Sequence, residues 1–128
     1  ARPLASGLIF PGSTMTTRYY IRLPNPDEAR GNDPDLSFRS RGAEGFAEEL
    51  QHALRNDALF LRWQAKQEEP DDVDPALSAT DPAARVTGQQ DDLHIDLIVD
   101  TRLSSALLRQ RMALLAGSHW QLRDVTAV

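Results

Sequence analysis

A chain of 128 residues with 41% hydrophobic and 26% charged content is one globular domain by length, with a single modest core. Its formal net charge of −5 excludes non-specific nucleic-acid binding, which needs surplus Lys and Arg to neutralise phosphate. The lack of cysteine excludes disulfides, thiolate metal sites and cysteine nucleophiles, and no apolar run reaches the roughly 18 residues a bilayer span needs. The acidity is uneven: residues 66–100 hold ten acidic and two basic side chains, a net of −8, so the remainder carries +3.

Residues 1–14, ARPLASGLIFPGST, differ in character from the rest of the chain, and Met15-Thr16-Thr17 reads like a natural start. They are expected to form an appended flexible tail, or one that docks through Leu8, Ile9 and Phe10, ahead of a domain spanning 15–128. Gly12-Ser13-Thr14 lacks the Lys and second Gly of a phosphate loop. Arg18 to Leu23 alternates Tyr19, Ile21 and Leu23 against Arg18, Tyr20 and Arg22, which predicts a strand ended by Pro24-Asn25-Pro26. Residues 24–40 form a polar connection that Phe38 can pin to the core.

Ser40 to Arg55 predicts a helix, because Ala43, Phe46, Ala47, Leu50, Ala53 and Leu54 fall on one arc at helical spacing. Residues 58–66 alternate, with Leu59, Leu61, Trp63 and Ala65 on one side and Phe60, Arg62, Gln64 and Lys66 on the other. Their period predicts a strand although their composition favours helix. Residues 67–91 are a long acidic connection in which Arg85-Val86-Thr87 can form a brief strand. Leu93 to Val99 alternates cleanly and predicts a strand with one buried and one wet face.

Leu103 to Ala116 predicts a helix closed by Gly117. It carries two apolar stripes, Leu103, Leu107 and Leu114 on one side and Leu108, Met112 and Leu115 on the other. Two stripes require two packing partners: the sheet, and either the N-terminal tail or a second subunit. His119 to Thr126 closes the chain as a strand, with Trp120 and Leu122 inward and Gln121, Arg123 and Val125 outward.

The order β-α-β-β-α-β predicts an α+β two-layer sandwich of ferredoxin-like type. Its antiparallel sheet runs 4-1-3-2 and carries both helices on one face. The other face then presents Arg18, Tyr20 and Arg22 beside His94, Asp96, Ile98 and Asp100, with arginines opposite aspartates. The chemistry-bearing patterns are weak. His94-x-Asp96 with His119 imitates a two-His-one-carboxylate iron site, yet His119 lies at the start of the last strand, so no metal is expected. Asp71, Asp72, Asp74 and Asp81 lack calcium-loop spacing and read as solvated charge. No serine sits in GxSxG, and the carboxylates beside Tyr20 oppose base stacking and phosphate. Trp63 and Trp120 read as core.

The functional expectation is therefore a small cofactor-free binding domain, cytoplasmic unless it is the mature end of an exported protein. It would meet a second copy or a protein partner, not nucleic acid or membrane. The contact residues would be Tyr20, Phe60 and Ile98 on the sheet, or Leu108, Met112 and Leu115 on the helix over 103–116. The alternative is a cofactor-free enzyme or small-acid binder. There His94, Asp96 or His119 would handle a proton while Arg18, Arg22 or Arg123 holds the acid.

Overall fold

In the computed structural model, residues 15–128 are described, and the expected tail over 1–14 lies outside them. Strand β1 (Thr17–Leu23) lies in the interior of the sheet and buries Tyr19, Ile21 and Leu23 on its core side. It pairs antiparallel with β3 (His94–Thr101) on one side and with β4 (Gln121–Ala127) on the other. Strand β2 (Arg85–Asp91) adds antiparallel to the outer edge of β3, giving the order β2-β3-β1-β4.

Three α-helices complete an α+β architecture: α1 (Ala43–Arg55), α2 (Ala58–Ala65) and α3 (Ser105–Ala116). Their buried side chains, among them Phe46, Leu50, Leu54, Leu59, Leu108 and Met112, share one core with Ile21, Leu23, Ile95, Leu97 and Val99 from the sheet. Helix α1 lies close over β2 because Gly88 has no side chain. A Cβ there would sit 2.3 Å from the Ala43 carbonyl oxygen and 3.3 Å from the Ala47 Cβ. Helix α3 starts at Ser104, whose hydroxyl accepts from the Leu107 amide at 3.3 Å, and ends at Gly117 with φ 61°.

Residues 58–66 are helical, which corrects the strand expected there. Leu59 and Phe60 are neighbours in sequence and both buried, and Trp63 packs against the same core. A strand would point Leu59 and Phe60 to opposite faces, whereas a helix lets 59, 60 and 63 share one side. Phe60 lies 5.8 Å from the Trp63 ring and is no part of the sheet. Leu61 is the apolar residue left outside, at 49% exposure. The vacated sheet position is filled by Arg85–Asp91, longer than the brief strand expected at 85–87. It is a polar edge with Val86 as its buried apolar side chain. The element order is thus β-α-α-β-β-α-β.

The two apolar sides of α3 also resolve. Leu108, Met112 and Leu115 are buried in the core, so they cannot present the exposed docking stripe expected of them. The end of α3 is instead met by the 29–38 connection. Gly31 approaches so closely that a Cβ would reach 2.1 Å from the Leu114 carbonyl oxygen, and the Phe38 amide donates to the Leu115 carbonyl at 2.9 Å. Phe38 packs edge-on to Phe46 at 4.9 Å, so it does pin this connection to the core.

The acidic connection is pinned at its end by Asp81, which is 3% exposed. Its carboxylate accepts from Thr101 Oγ1 at 2.8 Å and from the backbone amides of Arg102 at 2.9 Å and Ala83 at 3.0 Å. Burial works against its charge, but these donors outweigh burial and hold the carboxyl below its ordinary value. Asp81 is therefore a structural latch, unlike the exposed Asp71, Asp72 and Asp74 nearby in the same acidic run.

Asp81→Asn should cost about 2–3 kcal/mol in urea unfolding, the scale of hydrogen bonds to a charged group. The depressed carboxyl contributes its full stability above its ordinary value of 3.8 and loses it as pH falls through the lower folded value. The variant's stability should accordingly fall less steeply than the wild type's below about pH 4. Gly88→Ala should destabilise by about 1–3 kcal/mol, because α1 must move off β2 to admit the methyl group.

Candidate functional site

The face of the sheet away from the helices is built in rungs fixed by strand register. One rung reads Arg85, Asp100, Arg18 and Thr126 across the four strands. The next reads Thr87, Ile98, Tyr20 and Asp124, and the third reads Gln89, Asp96, Arg22 and Gln121. The β2–β3 hairpin adds a last, two-strand rung of Asp91 and His94. Directly opposed residues share a face, so each rung is a set of lateral neighbours.

The expected arginine–aspartate ladder forms. Arg18 grips Asp100 with two parallel bonds, Nε to Oδ1 at 2.8 Å and Nη2 to Oδ2 at 2.9 Å. Arg22 Nε donates to Asp96 Oδ1 at 3.0 Å. The Arg18 hydrogen bonds, with Arg85 nearby, hold the Asp100 carboxyl below its ordinary value, and Asp100 in turn raises Arg18. Tyr20 and Ile98 lie opposite each other between the two pairs, both half-buried.

One side chain expected on this face is elsewhere. Strand β4 carries a register shift: Ile21 opposes Leu122 but Tyr20 opposes Asp124, so Arg123 is the extra residue. The shift moves Asp124 onto the open face and sets Val125 opposite buried Tyr19, on the helix side. Alternation read straight along the strand puts Val125 outward, and the bulge reverses it.

The proton-transfer and ligand candidates separate. His94 and Asp96 are together on the open face, with His94 Nε2 3.3 Å from Asp96 Oδ2. His119 lies exposed in the turn after α3, where its backbone amide bonds to the Ala116 carbonyl, and is outside this group. Arg18 and Arg22 are engaged by aspartates, and Arg123 reaches Gln121 at 3.4 Å. Beside them, a shallow depression of about 290 Å³ is bordered by Tyr20, Arg22, Gln89, Asp96, Ile98 and Arg123.

Sequence reasoning missed Asp91, which the hairpin brings 3.6 Å from His94 Nε2. The two-residue turn Asp92-Leu93 makes that possible, with Asp92 in the left-handed region at φ 58°. Gln90 braces the turn, its amide donating to the carbonyls of Asp92 at 2.9 Å and His94 at 3.2 Å. The Asp-Leu pair between a polar run and an alternating one was the available signal.

No family model, curated protein or solved structure matches this chain. No helix of the described residues is long and apolar enough to cross a membrane.

Glycine adopts a positive φ without the side-chain clash that Asp92 meets. Asp92→Gly should therefore raise stability by about 1 kcal/mol, read as a thermal midpoint a few degrees higher.

Proposed function

We propose that this chain is a small binding domain that pairs with a second copy of itself through the open face of its sheet. The reading is carried by the charge pattern of that face. Its two ion pairs are satisfied within the plane of the sheet, leaving Tyr20 and Ile98 between them as apolar area. The residual charges at the two ends are opposite, and Asp124 adds one negative charge at the β4 edge of the middle rung. The Arg85, Asp100 and Arg18 rung carries one excess positive charge, while Asp91 and Asp96 with Arg22 leave one excess negative charge. A two-fold axis lying between two such faces and crossing the strands sets each positive end over a negative one.

Four strands about 4.8 Å apart and seven residues long make a face of roughly 450 Å² in projection. A single sheet face of that extent lies at the low end of interface size, so the association should be weak and reversible.

The alternative, an enzyme or small-acid binder, has less support. His94 and Asp96 stand on an open surface, His119 is apart from them, and Arg18 and Arg22 are occupied by aspartates. The surface-docking role expected of Phe60, Leu108, Met112 and Leu115 is given up, because all four are buried.

Sedimentation equilibrium from tens of micromolar to millimolar protein should show reversible growth toward twice the chain mass of 14.2 kDa. The association should weaken with salt, and Ile98→Glu should abolish it while the far-ultraviolet spectrum stays unchanged. A wild-type chain that remains monomeric at millimolar concentration, or an Ile98→Glu variant that associates equally well, would overturn the proposal.

A further inference from the structure

The hairpin end of the open face places three metal-ligating side chains around one point. Asp91, His94 and Asp96 each offer a ligand atom within 4.8 Å of the other two. His94 Nε2 is 3.3 Å from Asp96 Oδ2 and 3.6 Å from Asp91 Oδ2. A divalent metal with bonds of about 2.0–2.1 Å separates neighbouring donors by about 2.8–3.4 Å, the upper end for a tetrahedral site. The two histidine–carboxylate separations are near that spacing, and Asp91, 65% exposed at its side chain, has room to swing the remaining distance.

Two further features distinguish the arrangement from a patch of solvated acids. The imidazole is only 23% exposed and directs Nε2 between the carboxylates. Arg22 Nε bonds Asp96 Oδ1 at 3.0 Å, which orients that carboxylate and leaves Oδ2 toward the histidine. Strand β1 ends at Leu23, opposite Ile95, so no β1 residue pairs with His94 on that side.

We propose that Asp91, His94 and Asp96 form a binding site for a divalent first-row transition metal of the Zn2+ or Co2+ kind. An imidazole with two carboxylates suits these ions better than Ca2+ or Mg2+, which favour all-oxygen shells. Three protein donors leave the remaining coordination positions to water or to a ligand. The site belongs to one hairpin of one chain and does not depend on self-association. Arg22 is a positioning residue: it fixes Asp96 without touching the metal.

The test is titration of the full chain, stripped with EDTA, with Co2+ and Zn2+, read by calorimetry and by the visible absorption of Co2+. One ion per chain is expected. His94→Ala should weaken binding by about 100-fold or more and Asp91→Asn about tenfold. Arg22→Gln should weaken it by about 10–100-fold, the range for residues that orient ligands. His52→Ala and His119→Ala should bind as the wild type does. Asp91 is exposed at the end of a strand, so Asp91→Asn keeps the test decisive should His94→Ala disturb the hairpin. The proposal fails if no ion binds at millimolar metal, if His94→Ala and Asp91→Asn bind unchanged, or if affinity follows His52 or His119 instead.

Discussion

The pairing of β1 with β3 is the constraint that organises the molecule. Its register puts Tyr19 against Val99, Ile21 against Leu97 and Leu23 against Ile95 on one side, all of them buried. The same register puts Arg18 against Asp100 and Arg22 against Asp96 on the other. A slip of one residue would turn β1 over, burying Arg18 and Arg22 and exposing Tyr19, Ile21 and Leu23. The burial of the apolar side thus selects the pairing, and the charged rungs come with it. The open face is a by-product of core formation that also happens to be chemically organised.

On the helix side, two buried charged groups make connections that apolar packing does not. Asp81 ties the end of the acidic connection to the β3–α3 junction through Thr101 and Arg102. Arg111, fully buried in α3, donates to the carbonyls of Ala53 at 3.3 Å and Ala79 at 2.9 Å, and its guanidinium lies 5.9 Å from the Phe60 ring centroid. Burial lowers its pKa from the ordinary value, yet carbonyl acceptors and an aromatic face partly replace the water it gave up. One side chain thereby joins α3 to α1, to α2 and to the connection before β2. Deleting either group strands its partners in a dry environment.

The elements with strong period were legible from sequence: β1, α1, β3 and α3 occur where alternation or helical spacing placed them, with ends shifted by a few residues. Residues 58–66 were not, because an eight-residue helix carrying Leu59, Leu61 and Trp63 imitates strand alternation. What decides the matter is the adjacent burial of Leu59 and Phe60, a tertiary fact. Strand β2 was nearly invisible because an edge strand with Gly88 and two glutamines has little apolar pattern to show. The arginine–aspartate ladder was readable, since opposed alternating strands dictate it. The company of Asp91 with His94 was not, because it depends on a tight turn through a left-handed aspartate.

The register shift in β4 also bears on the outer margin of the sheet. A straight strand there would offer an unbroken row of donors and acceptors onto which another chain could add. The extra residue at Arg123 interrupts that row and bends the strand. The opposite margin, Arg85–Asp91, is polar and ends in an aspartate. Both borders thus carry features that disfavour strand addition.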